Sequence, residues 1–142
     1  MMPINALVAS TEDDSHIWNL TGVEYILADY GFEVTNLGAC TPAVDIAEYV
    51  QARRPELVAI SSVNGHGAIT GLSLAQTLAE YQAFQLSTII IGGKLTLSAE
   101  TAHAARPQLL AAGFAGVFDG ERAWAEFDEF IRSRGIAGLR AA

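Results

Sequence analysis

The chain has a single cysteine, Cys40, so no internal disulfide can hold it together and its stability must come from a packed core. Basic residues are also scarce: eight Lys and Arg stand against sixteen Asp and Glu, giving a net charge of −8. They are scattered along the chain, which leaves no electrostatic footprint for a phosphate backbone and excludes nucleic acid as an expected partner. A surplus of acidic groups of this kind serves solubility. No apolar run approaches the roughly 20 residues that a membrane helix needs, so no membrane partner is expected. The opening residues Met1-Met2-Pro3-Ile4-Asn5 lack the basic head, apolar middle and cleavage site of a secretory signal, which predicts a cytoplasmic location. Low-complexity linkers and internal repeats are absent as well. One domain spanning 1–142 is expected, with a core at about 4–134 and a short C-terminal tail.

Short β-rich runs alternate with longer stretches of helical period, the rhythm of an α/β fold. Ile4 to Ala9 reads as a first strand and Trp18 to Tyr30 as a helix, with Leu20, Val23, Ile26 and Leu27 recurring at three and four positions before Gly31 ends it. Phe32 to Leu37 alternates as a second strand. Thr41 as cap and Pro42 in the first turn then open a helix that ends near Arg54. Leu57-Val58-Ala59-Ile60 is continuously apolar, as a parallel strand covered on both faces should be. A helix from about Gly71 to Tyr81 leads to the β-branched strand Thr88 to Ile91. Ser98 to Ala112 is a helix in which Pro107 predicts a kink or break, Ala115 to Phe118 a short edge strand, and Ala123 to Arg134 a closing amphipathic helix. Five strands and five helices fit a single flavodoxin-like (Rossmann-like), doubly wound parallel sheet of order 2-1-3-4-5.

In such a sheet, ligands bind beyond the carboxyl ends of the strands, where the strand order reverses. Three unusual loops fall at that edge. The first is Asp13-Asp14-Ser15-His16-Ile17, in which a carboxylate two positions before a histidine can orient the imidazole while its other nitrogen binds a metal. The second, Ser61-Ser62-Val63-Asn64-Gly65-His66-Gly67, offers small hydroxyls that can bond a nitrogen heterocycle. The third, Gly92-Gly93, lets backbone approach a bulky ligand. His103, Trp18 and Trp124 fall in helices; His103 reads as structural or merely solvated, the tryptophans as packing residues, and Cys40 as a small buried or half-buried side chain.

These loops carry a family resemblance. Asp14-Ser15-His16 with Asn19, then Ser61-Ser62-Val63, then Gly92-Gly93, resembles the cobalamin-binding pattern D-x-H-x-x-G, S-x-L, G-G, with Asn19 in place of the glycine and Val63 in place of the leucine. Gly31-Phe32-Glu33-Val34, Asn36-Leu37-Gly38 and the stretch Ser61 to Gly67 are similar to the small, sigma subunit of glutamate mutase (methylaspartate mutase), and the resemblance covers nearly the whole chain. It implies that His16 is the axial ligand of cobalt in adenosylcobalamin, held by Asp14, with the residues from Asp13 to Ile17 against the lower corrin face. It implies further that the freed nucleotide tail enters between the sheet and the helix after His16. Ser61 would bond its base, Ser62, Val63, Gly65, Gly67 and Gly92 would complete the cradle, and Gly93, Lys94, Leu95, Thr96 and Leu97 would line the tail. Asn19 implies a loosened or altered tail site. His66, between two glycines, faces either the corrin, a partner or nothing in particular.

The implied function is that of a cofactor-binding subunit of a carbon-skeleton isomerase, inactive alone, converting L-glutamate to threo-3-methyl-L-aspartate by a radical mechanism. A large barrel-fold subunit would hold the substrate, in a heterotetramer. Such a barrel takes about 250 residues, more than this chain has. The alternatives are a cobalamin carrier for another mutase or for methyl transfer, and a receiver-type signalling domain. Methyl carriers usually add a helical cap, for which there is no room here. A receiver needs an aspartate ending strand three, where this chain has Ser61-Ser62, and a lysine after strand five, near Phe118-Asp119-Gly120.

Overall fold

The computed structural model describes residues 4–134; the expectations for Met1 to Pro3 and for the C-terminal tail lie outside the described residues. Five strands, β1 (Ile4–Ser10), β2 (Phe32–Asn36), β3 (Leu57–Ser62), β4 (Thr88–Gly93) and β5 (Gly116–Asp119), form one parallel sheet in the order β2-β1-β3-β4-β5. The helices are α1 (Ile17–Asp29), α2 (Ala43–Arg53), α3 (Gly67–Glu80), α4 (Ala83–Leu86), α5 (Ala99–Ala112) and α6 (Ala123–Ser133). The doubly wound order is as expected. Among the described residues, no helix is long and apolar enough to cross a membrane.

Both faces of the central strands β1, β3 and β4 are buried, which explains their largely continuous apolar runs, whereas the edge strand β2 alternates buried with exposed residues. Ala6 and Val8 of β1, Leu57 and Ala59 of β3, Ile90 of β4 and Phe118 of β5 pack with Leu20 and Leu27 of α1 and with Phe127 and Ile131 of α6. The intervening residues, among them Leu7, Ala9, Val58, Ile60, Ile89, Ile91 and Val117, meet Ile46 and Val50 of α2, Leu74 and Leu78 of α3, and Leu109 of α5. Side-chain direction therefore follows strand parity. Ser61 continues the row of Ala59 towards α1 and α6, whereas Ser62 faces α3.

Several local expectations are corrected. Helix α3 begins at Gly67, four residues before Gly71, because these glycines are required by packing. A Cβ on Gly67 would lie 2.6 Å from Ser62 Oγ, and one on Gly71 would lie 2.8 Å from Ile91 Cδ1. Close helix–sheet contact here outweighs glycine's poor helix propensity. The short α4 has no counterpart among the expected elements. Pro107 does not break α5, which runs on to Ala112 with Ala105 and Leu109 buried on either side of it. Thr41 does not cap α2, whose cap position is Pro42 without a side-chain bond; instead Thr41 Oγ1 accepts from Ser10 N at 3.1 Å and donates to Gly38 O at 2.7 Å. Cys40 is exposed, with φ of 51°.

Gly93 joins the end of β4 to the ligand-binding edge at φ +124°, where a Cβ would collide with the Ser62 carbonyl oxygen across the ladder. Gly93→Ala should lower stability by at least about 2 kcal/mol, from the unfavourable backbone angle together with the collision. Urea denaturation checks this, and an unchanged midpoint would contradict the strain.

Candidate functional site

The site is built at the carboxyl ends of β1, β3 and β4. After β1 the chain turns at Thr11, whose carbonyl accepts from Asp14 N at 3.1 Å, and His16 takes the N-cap position of α1. Its side chain makes no capping bond. Instead His16 N and His16 Nδ1 each lie 2.8 Å from Asp14 Oδ1. The other carboxylate oxygen, Asp14 Oδ2, accepts from Val63 N at 2.5 Å, tying the loop after β1 to the loop after β3. Asp14 is 1% exposed, while the His16 side chain remains 54% exposed.

Burial of Asp14 pushes its pKa up, but the hydrogen bonds from the His16 and Val63 amides and from the His16 ring outweigh it. The net pKa lies below the ordinary aspartate value. An ionised carboxylate only accepts, so the proton of this contact sits on Nδ1 and the Nε2 lone pair is left available to a metal. Among the described residues, no three His, Cys, Asp or Glu side chains gather around a point. The metal-ligating chemistry the site presents is thus one exposed imidazole with a carboxylate behind it.

Beside this pair, between the sheet and helices α1 and α6, lies a cavity of about 220 Å³. It exists because the residues facing that side near the strand ends are small: Ala59, Ser61 and Gly92. Ser61 and Gly92 are partners in the β3–β4 register, and a Cβ on Gly92 would stand 3.0 Å from Phe118 O. The Phe118 ring leans back over Gly116, where a Cβ would meet its Cζ at 2.7 Å, and so leaves the space open. The outer wall is aromatic: Phe127 meets Phe118 edge-to-face at 5.7 Å and Trp124 at 5.9 Å. No charged side chain is among the lining residues. The Ser61 hydroxyl, on a residue only 9% exposed, makes no hydrogen bond within the described residues. A hydroxyl that faces an apolar cavity without a protein partner is suited to a heterocyclic ligand that brings its own acceptor.

The structure brings the expected residues together unevenly. Ser61, Val63, Gly92 and Gly93 line the cavity; none of Asp13 to Ile17 is among the lining residues, and that loop meets the cavity wall through the bond from Val63 N to Asp14. Gly65 and Gly67 instead shape the loop after β3, where Gly65 N bonds Lys94 O at 3.1 Å and Ala68 N bonds Leu95 O at 2.9 Å. Lys94, Leu95, Thr96 and Leu97 are not among the lining residues; Leu95 is buried in the core on the opposite face, while Leu97 is 73% exposed. Ser62 is fully buried and 3.4 Å from Asn64 Oδ1. His66 is exposed at the N-cap position of α3.

Val23, Phe118, Ala123 and Phe127 also line the cavity, although no motif marks them. The expectation that the tryptophans are packing residues is corrected: Trp124 lines the cavity and is 55% exposed, and Trp18 is 88% exposed, so neither is a core residue. Helical spacing is the signal that points to most of these positions. Asn19 and Val23 lie one turn apart on α1, as do Ala123 and Phe127 on α6.

Asp13 and Asp14, the two carboxylates after β1 that would be the magnesium-holding acidic pair of a receiver domain, are engaged within the protein. Asp14 is committed to His16 and Val63, and Asp13 Oδ2 accepts from Thr70 Oγ1 at 3.0 Å, while β3 ends in two serines. Fold and site together define a domain of flavodoxin-like topology that presents one oriented histidine near an apolar cavity at the carboxyl edge of its sheet. The chain belongs to the B12 binding domain family, whose model matches residues 4–127.

Among curated proteins, it is 28% identical to glutamate mutase sigma subunit 1 of Haloarcula marismortui over 131 residues, covering 92% of this chain and 85% of that one. Among solved structures, it is similar to a cobalamin-binding protein from Desulfitobacterium hafniense DCB-2 (TM-score 0.64, 22% identity, 80% of this chain and 52% of the other). A second is the monomethylamine corrinoid protein of Methanosarcina barkeri (TM-score 0.66, 17% identity, 82% and 52%). At these identities the two structures show the shared fold, and this chain spans about half the length of each.

Proposed function

We propose that this chain is the adenosylcobalamin-binding subunit of a glutamate mutase-like carbon-skeleton isomerase, working with a separate barrel-fold subunit that holds the substrate. The observation that carries this reading is the oriented His16–Asp14 pair, 2.8 Å apart, beside an apolar cavity that contains an unpartnered Ser61 hydroxyl. Likeness to a sigma subunit over 92% of the chain supports the mutase assignment. Bound adenosylcobalamin supplies the radical chemistry; the protein supplies binding, orientation and the electronics of the axial position.

The division of labour among this chain's residues follows from their placement. His16 would offer Nε2 to cobalt, while Asp14 fixes the ring and raises its basicity through Nδ1. Ser61 would donate to the tail's ring nitrogen, and Phe118, Trp124 and Phe127 would cover the faces of the base. No side chain of this chain is assigned to substrate, so glutamate would be held by the partner, in a heterotetramer.

Mixing the chain with adenosylcobalamin, a candidate barrel subunit and L-glutamate tests the reading. The expected product is threo-3-methyl-L-aspartate, formed only when both chains are present, and its absence would overturn the substrate assignment. Ser61→Leu should fill the cavity and weaken binding of tail-bearing cobalamin by at least about tenfold, while a corrinoid lacking the tail binds as before. Equal losses for both would place the tail elsewhere.

A further inference from the structure

Asn19 is the residue at which the chain departs from the family pattern's glycine, and the structure shows what stands there. It lies three residues after His16, on the same side of α1, and lines the mouth of the cavity. Its carboxamide makes no hydrogen bond within the described residues, and it is exposed. At the start of α1, Asp14 Oδ1 takes the amide of the N-cap residue His16, and the N–H groups of Ile17, Trp18 and Asn19 that follow have no partner within the described residues. α1 has no side-chain cap and no acidic residue in its first turn, in a chain with sixteen acidic residues. Ser61, a residue nine-tenths buried that lines the same cavity, likewise has a hydroxyl without a partner within the described residues.

We infer that Asn19 is a positioning residue whose carboxamide donates to the phosphodiester link of the nucleotide tail. The inference rests on the cobalamin reading above. If His16 holds the metal and Ser61 faces the base, Asn19 shares the first turn of α1 with the one and the cavity with the other, which puts it within reach of the link that joins them. No lysine or arginine lines the cavity, so the anionic link finds its donors in the Asn19 amide and in the first free N–H groups of α1, whose partial positive charge favours an anion. Glycine at this position would offer only backbone. Asparagine adds a side-chain donor, so the departure alters the grip on the tail without loosening it.

The test compares cobalamin with cobinamide, which has the corrin but no nucleotide tail, by absorption titration of the purified chain. Asn19→Asp places a carboxylate against the phosphodiester. It should weaken cobalamin binding by at least about tenfold, the order expected for losing a hydrogen bond to a charged group, and leave cobinamide unchanged. Raising the salt concentration should recover part of the Asn19→Asp loss, because the repulsion is screened. Asn19→Ala should lose affinity for cobalamin alone by a smaller factor, and Asn19→Gln should restore some of it. Circular dichroism establishes that each variant is folded.

If wild type binds cobalamin through His16 while Asn19→Asp and Asn19→Ala bind it equally well, the role of Asn19 is overturned and the cobalamin reading stands. A parallel fall in cobinamide binding overturns that role in the same way. If wild type binds neither corrinoid, both readings fail.

Discussion

His16→Ala should abolish the protein ligand to cobalt while leaving the fold intact, because the ring is half exposed and makes no cap bond to α1. Loss of an outer-shell partner typically costs a metal site about 10–100-fold in affinity, so loss of the ligand itself should cost at least about 100-fold. Absorption spectra of cobalamin mixed with wild type should show displacement of its own lower base, and spectra with His16→Ala should not. Electron paramagnetic resonance with isotopically labelled histidine identifies the ligating nitrogen. Identical spectra for wild type and variant would overturn the assignment of His16.

Asp14→Ala should damage both the fold and the site, because one carboxylate joins two loops. Its loss strips partners from His16 N and Nδ1 and from Val63 N, the last at the start of the loop after β3. An unpaired buried donor costs about 1–3 kcal/mol, so a destabilisation of roughly 3 kcal/mol is expected. A further 10–100-fold loss of cobalamin affinity, on the order seen for outer-shell partners, should accompany it.

The pH dependence has a definite sign. The folded-state pKa of Asp14 is below its unfolded value, so its contribution is fully present above the unfolded pKa, near 4, and is lost as the pH falls through the lowered folded value. Wild type should therefore lose stability in acid more steeply than Asp14→Asn, which has no carboxylate to titrate at this position. Urea midpoints measured across that range decide it. Parallel curves for the two proteins would show that the Asp14 bonds do not stabilise the fold.

The legible and illegible parts of the molecule differ in kind. Ile89-Ile90-Ile91 and Leu57 to Ile60 are recognisable as strands because burial on both faces leaves a continuous apolar run. The first β–α loop is recognisable as a site because Asp14 and His16 are neighbours in sequence. Local signals mislead where tertiary contact overrides local preference. Gly67 starts a helix because Ser62 and Leu95 leave no room for a side chain. Thr41 forgoes a cap to bond Ser10, 31 residues away. Trp18 and Trp124 look like core residues by type, yet both stand at the ligand-binding side, and Trp124 forms the wall of the cavity.

By itself, the sequence determined the five strands, each followed by one of the five longer helices, the parallel sheet and its order, and the edge at which the three unusual loops gather. Hydrophobic period and short crossover connections are local properties, and in a doubly wound sheet they leave few arrangements open. Only the tertiary structure decided that Asp14 also reaches Val63, 49 residues away, and that α1, β3, β4, β5 and α6 enclose an apolar cavity. The reason is register. Ser61 sits beside Gly92, and Gly92 beneath Phe118, through pairings between strands distant in the chain, and a shift of one residue would turn each side chain to the opposite face.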